Sequence, residues 1–479
     1  MSELKDKILS GLIWQYSQRL SAQAIQLIVS IILARLLLPK DFGIVALIGV
    51  FITLSAVLVD SGFSNALIQK KEVDQKDYAS VFILNLILSF LLYLLLFFTA
   101  PFIALFYEEP LLIPVLRIIS VTIIFNAFTI IQTSILTREM LFKKSFKVNF
   151  ISVVFSGVVG ISMALNGSGL WSLVFSQVAA QVSRTILLWF AIKWKPSFYF
   201  SLDRISSLFS YGSKIMFGAM FNAVYNNVYP LIIGKQYNNT TLGYYNRGAL
   251  IPTLIVDNIS NTLGSVMFPA LSAHQNDRIT IKRLVKRMLI TSSTIVFFLM
   301  GLLIVIAKPF VIILLTEKWL PAVPFLQLVC ITVSFYPLHA INAAATTSVG
   351  KSGTYLKIEI IKKSLSLLLI VACIPFGVMT MVAAGAAGAF ISTFISAQPN
   401  KKLIGYSAAE QWKDVLPFIF MAIFAAGIAW PLSYLGFNNW ITMLMQICLA
   451  SVTYLGGALL FKFQLITDIR QILKRNKPE

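Results

Sequence analysis

Long apolar runs fill this chain, cut at short intervals by clusters of basic and turn-forming residues. A helix needs about 20 apolar residues to cross the hydrocarbon core of a bilayer. The pattern predicts such helices near residues 11–37, 42–65, 78–106, 111–136, 146–165 and 169–192. A second set follows near 211–234, 247–272, 288–315, 320–349, 355–376 and 378–397, with a final pair near 415–436 and 440–461. The expected fold is all-α and integral to the membrane, with about 14 transmembrane helices: two parallel six-helix lobes around a central cavity and a C-terminal helix pair.

The domain bounds that follow are 1–192 for the first lobe and 211–397 for the second. Residues 193–210, with Lys193, Trp194, Lys195, Phe198 and Tyr199, read as an interfacial linker. Residues 398–414 read as a cytoplasmic linker, and 415–479 as the last helix pair and tail. An internal repeat at an offset of 200 supports two lobes. Arg35 precedes Gly43 as Lys235 precedes Gly243, and Gln26 falls on Asn226. Six helices per copy leave the two copies in the same orientation.

Composition narrows the function classes. Hydrophobic residues make up 58% of the chain and charged ones 12%, against about 25% charge in a soluble domain, which excludes most soluble enzymes and transcription factors. The net charge of +20 would suggest nucleic acid in a soluble protein. Here the basic residues collect at the N-terminus and in every second loop, as in Lys70, Lys71, Lys76, then Arg138, Lys143, Lys144, Lys147, then Arg278, Lys282, Arg283, Lys286, Arg287. By the positive-inside rule both termini are cytoplasmic, and these charges face anionic lipid. No cleavage site follows the first apolar stretch, so a removed signal peptide is not expected.

Catalytic and metal motifs do not develop. Cys330, Cys373 and Cys448 are isolated in apolar segments, which offers neither a disulfide framework nor a metal pair. Gly350-Lys351-Ser352 resembles the end of a phosphate-binding loop, but Ala345 stands where that motif needs glycine and no strand precedes it. The non-cytoplasmic loops are too short for a loop-built active site. No enzyme activity, metal or cofactor is expected.

Polar residues inside the apolar runs mark the candidate site. The first helix aligns Gln15, Arg19, Gln23, Gln26 and Ser30 on one face, and such a stripe cannot face lipid. Arg19 either serves a wet cavity or snorkels to the interface. The seventh helix aligns Lys214, Gly218, Asn222, Tyr225, Asn226 and Tyr229. Amides and tyrosines suit a sugar, which offers both flat apolar faces and hydroxyls, and they equally suit interhelical packing. The eighth helix contributes Arg247, Asn258 and Asn261, with Asp257 beside that face. The sixth offers Gln177, Gln181 and Arg184, the tenth His339, Asn342 and Thr346. Asp257 and Asp60 are candidates for a coupling cation, with Asp60 also placed to cap the chain break at Gly62. His339 reads as a packing histidine.

Several stretches carry a family resemblance. They are Ala34 to Gly43 (ARLLLPKDFG), Asp60 to Gln69 (DSGFSNALIQ), Leu136 to Lys143 (LTREMLFK), Gly167 to Val174 (GSGLWSLV), Gly243 to Arg247 (GYYNR) and Val266 to Ser272 (VMFPALS). In that order they resemble the Wzx-type polysaccharide and O-antigen flippases, colanic-acid-like branch, of the multidrug/oligosaccharidyl-lipid/polysaccharide exporter superfamily. The resemblance implies a multi-pass protein of the bacterial inner membrane. It would export undecaprenyl-diphosphate-linked oligosaccharide for surface polysaccharide synthesis by alternating access, near a polymerase and glycosyltransferases. It also implies that cavity arginines hold the diphosphate, a role that falls here on Arg19 and Arg247. A drug or metabolite cation antiporter of the same superfamily is the alternative, and would prefer acidic cavity residues. An integral-membrane polysaccharide ligase or glycosyltransferase is a third, and would need a catalytic loop that the spacing does not provide.

Overall fold

Lipid offers no partner for a backbone N–H or C=O, so a spanning chain must satisfy these groups within itself. The structure, a computed structural model, describes residues 21–275 and 277–460, and no strand occurs among them. Up to residue 243 the helices are α1 (Ser21–Leu36), α2 (Pro39–Asp60), α3 (Phe63–Gln69), α4 (Gln75–Tyr107), α5 (Leu112–Ile119), α6 (Val121–Arg138), α7 (Phe142–Leu165), α8 (Leu170–Ala191), α9 (Leu202–Asn226) and α10 (Val228–Gln236). Then come α11 (Asn239–Ser272), α12 (Arg278–Leu315), α13 (Val323–Ser334), α14 (Tyr336–Ser348), α15 (Ser352–Ala372), α16 (Val378–Ile404), α17 (Ala408–Ala429) and α18 (Asn439–Leu460).

These form 14 helical stretches, of which ten are long and apolar enough to cross a membrane. The others are α1, whose described part is short, and three more polar stretches: α9 with α10, α11, and α15. Several predicted spans are broken inside. α2 and α3 meet at Ser61 and Gly62, both left-handed with φ of 46° and 74°. The predicted seventh helix starts nine residues early, at Leu202, and breaks at Asn227, whose side-chain amide donates to the Ala223 carbonyl. Pro230, just beyond, has no N–H to continue the ladder.

The chain divides into two compact units, Met1–Gly243 and Tyr244–Glu479. In the first, Phe63, Leu67, Phe82, Ile131, Leu188, Ile205 and Leu208 share one core. Phe82, Phe128, Trp189 and Trp194 close it edge to face. Residues 193–201 are strapped to the start of α4: Trp194 Nε1 donates to Gln75 Oε1 at 2.7 Å, and Gln75 Nε2 to the Lys195 carbonyl at 2.6 Å. Arg204 pairs with Asp74 at 2.5 Å and with buried Asp77 at 3.0 Å. The Arg204 hydrogen bond holds the Asp74 carboxyl down at about 2. In the second unit, Leu289, Phe297, Phe335, Ile341, Tyr406 and Val415 form the core, with Phe390, Phe394 and Trp412 stacked beside it. Large exposed side chains such as Phe102, Leu105, Phe190 and Val452 form apolar surface suited to lipid.

Candidate functional site

The recognisable sequence stretches turn out to do structural work. Asp41 accepts from the Leu38 N–H at 3.0 Å and caps α2. Arg138 donates to the carbonyls of Leu67, Lys70 and Lys71 at 2.6–2.7 Å, capping the C-terminal end of α3. Asp60 accepts from the hydroxyl and the N–H of Ser64, holding the start of α3.

Gly43 and Gly243 permit backbone-to-backbone contact. A Cβ on Gly43 would stand 1.7 Å from the Asn239 carbonyl oxygen, and one on Gly243 would stand 2.0 Å from that of Pro39. The repeat offset of 200 maps one of these contacts onto the other, 43 onto 243 and 39 onto 239. Ion pairs surround this crossing. Lys40 reaches Glu109 at 2.8 Å, Lys235 reaches Glu108 at 3.0 Å, and the Asn239 amide donates to Glu109 at 3.1 Å.

Farther along, the bend between α2 and α3 touches α9, where a Cβ on Gly62 would lie 2.2 Å from the Gly212 carbonyl. Beside that contact lies a cavity of about 430 Å³ with Asp60, Asn65 and Thr53 on one wall and Ile215, Met216 and Ala219 of α9 on the other. Of the remaining candidates in this unit, Gln15 and Arg19 lie outside the described residues. Gln23 is half-buried and Gln26 exposed on α1. On α9, Lys214, Asn222 and Asn226 are exposed and Tyr225 half-buried, and Tyr229 on α10 is half-buried.

In the second unit, α11 is pressed against the turn 317–322 and α13. A Cβ on Gly248 would lie 2.8 Å from both the Ala322 carbonyl oxygen and the Leu326 nitrogen, and Tyr244 and Tyr245 meet Trp319 and Phe325 edge-on. This packing fixes Arg247, half-buried. Asp257 and Asn261 are exposed, and Asn258 donates to the Leu254 carbonyl at 2.9 Å. Arg247 and Asp257 are ten residues apart, about 15 Å along the axis, so they do not pair.

The polar face His339, Asn342 and Thr346 joins a buried polar cluster that runs through α14 to α17, whose partners Ser396, Asn400 and Gln411 spacing did not single out. Asn342 exchanges bonds with Gln411 at 2.9 and 3.0 Å and accepts from Asn400 at 2.6 Å. His339 meets Ser396 at 3.2 Å. Buried Lys362 pairs with Glu359, one turn away on α15. Lys357, Lys362 and Lys363 fall within the predicted span 355–376, and they stand inside α15.

Among the described residues the fold is a set of membrane-length helices with no strand. The solved structure of the lipid II flippase MurJ in an inward closed conformation matches it with a TM-score of 0.76 at 16% identity, covering 95% of this chain and 100% of that one. Residues 32–324 match the profile described as polysaccharide biosynthesis protein, and the chain belongs to that family. It is 25% identical to the teichuronic acid biosynthesis protein TuaB of Bacillus subtilis (strain 168) over 74% of this chain and 73% of that one. It is 24% identical to the lipopolysaccharide biosynthesis protein WzxC of Escherichia coli (strain K12) over 68% and 67%. The Wzx-type resemblance of the short stretches is thereby carried over most of the chain.

Proposed function

We propose that this protein is a flippase of the bacterial inner membrane that moves lipid-linked oligosaccharide outward for surface polysaccharide synthesis. The observation that carries this reading is the polarity of α9 and α11 within a family of polysaccharide biosynthesis proteins. Helices that hold amides, tyrosines and a guanidinium at membrane depth must face protein or water. The amide and tyrosine set of α1, α9 and α10 suits sugar rings, with Gln23, Gln26, Asn222, Tyr225, Asn226 and Tyr229 as contacts. Arg247, together with Arg19, takes the diphosphate, while the polyprenyl tail stays in lipid. The two repeats alternate access by moving against one another.

Outward movement of an anion with two charges across an inside-negative membrane gains about 4–5 kcal/mol per 100 mV, so the potential itself favours export. The test is reconstitution of the full chain into vesicles holding a fluorescent polyprenyl-diphosphate oligosaccharide in the inner leaflet. Label should become accessible to an impermeant quencher faster than in protein-free vesicles. An unchanged rate would refute the reading.

A further inference from the structure

On α8, Phe175, Ile186 and Phe190 are 39%, 50% and 81% exposed, and at 100° per residue they share one side of the helix. That side suits lipid. Gln181 and Arg184, both half-buried, fall on the opposite side, where α8 turns toward the interior of the first unit. Arg184 lies seven residues before the end of α8, about 10 Å along the axis. Among the described residues its Nε and the Gln181 Nε2 are buried without a hydrogen-bond partner, and no carboxylate lies near enough to act on Arg184.

Buried donors are nearly always satisfied in folded proteins, and an intramembrane cation is normally paired. Two unmet donors one helical turn apart, on side chains about 5–6 Å apart at Cβ, fit an acceptor-rich anion between them. A planar guanidinium grips a phosphate in two places, and the amide supplies a further donor.

We propose that Arg184 and Gln181 form an anion subsite in the first unit that takes a phosphate or diphosphate group. The subsite rests on the flippase reading above for its natural source, a lipid-linked diphosphate, although free phosphate shares the chemistry.

The test measures binding to the purified full chain in lipid nanodiscs, with farnesyl diphosphate, inorganic pyrophosphate and farnesol as probes. Arg184→Gln should weaken farnesyl diphosphate binding at least tenfold, with Arg184→Lys and Gln181→Leu each costing about threefold. Farnesol, which lacks the anion, should bind all variants alike, and this also reports that they fold. Should Arg184→Gln fail to fold, Arg184→Lys and Gln181→Leu carry the same comparison. Equal diphosphate affinity in wild type and variants would overturn the subsite while leaving the flippase reading intact. Pyrophosphate binding through Arg184 with no gain from the farnesyl tail would uphold the subsite and count against a lipid-linked source. Binding of neither anion by the wild type would overturn the subsite, and the vesicle experiment then decides the flippase reading separately.

Discussion

Replacing Gly43 by alanine adds one methyl group at the tightest helix contact in the first unit. Its carbon would sit 1.7 Å from the Asn239 carbonyl oxygen, 2.6 Å from the carbonyl carbon and 3.1 Å from the Cα. That is roughly 1.5–2 Å short of ordinary van der Waals contact. All three opposing atoms are backbone, so no rotamer change relieves the clash and the start of α11 must move off α2. A shift of that size breaks the 3.1 Å bond from Asn239 to Glu109. Overpacking costs about 1–3 kcal/mol, and a lost hydrogen bond to a charged group adds about 1.5–3 kcal/mol.

Gly49, on the same helix, has nothing within 4 Å of its would-be Cβ. There alanine should gain about 0.5–1 kcal/mol from helix propensity. The assay is thermal unfolding of the two variants in detergent, followed by loss of the monodisperse peak. Gly43→Ala should melt well below wild type and Gly49→Ala at or above it. If Gly43→Ala melts with Gly49→Ala, the backbone contact between α2 and α11 does not hold the first unit together.

Glu359→Gln should destabilise the second unit by about 3–5 kcal/mol because it strands buried Lys362, whereas the double change Glu359→Leu, Lys362→Met should recover most of the loss in the same melting assay. Trp194 fluorescence should stay native as pH falls from 5 to 3 and change only near 2: the Asp74 carboxyl sits at about 2 when folded, below its unfolded value, so its contribution is complete above about pH 4 and lost through 2. Arg204→Gln should move that change upward toward pH 4. Cysteines at positions 144 and 283, with Cys448 replaced by serine, should resist an impermeant thiol reagent in intact cells, and labelling at either would invert the orientation. The Arg19→Ala, Arg247→Ala double variant should lose transport in the vesicle assay while remaining folded, and a normal rate would remove both residues from the diphosphate site.

The helical class and the membrane setting were legible in the chain because the bilayer constrains sequence locally. Each span must be apolar over a fixed length wherever it packs, and basic residues pay most for crossing, so both signals survive without knowledge of neighbours. The polar faces of α1, α8, α9 and α11 were visible for the same reason, since a 3.6-residue period needs only the chain itself.

What periodicity could not assign was which polar residue serves ligand and which serves fold. The capping role of Asp60 was legible from its place before Gly62, but Arg138 has no visible partner in sequence, and only the bend at Ser61 and Gly62 brings α3 to it. Hydropathy alone does not show what makes the burial of Lys362 tolerable, and Glu359 one turn away supplies it. The 200-residue offset suggested two copies, but that Gly43 meets Asn239 while Gly243 meets Pro39 is a matter of helix crossing. Sequence determined the solvent of this protein and its helical class, because both follow from each segment's own transfer free energy. Tertiary structure decided which donors found partners and which, at Arg184 and Gln181, did not, because hydrogen bonding depends on positions fixed by residues far away in the chain.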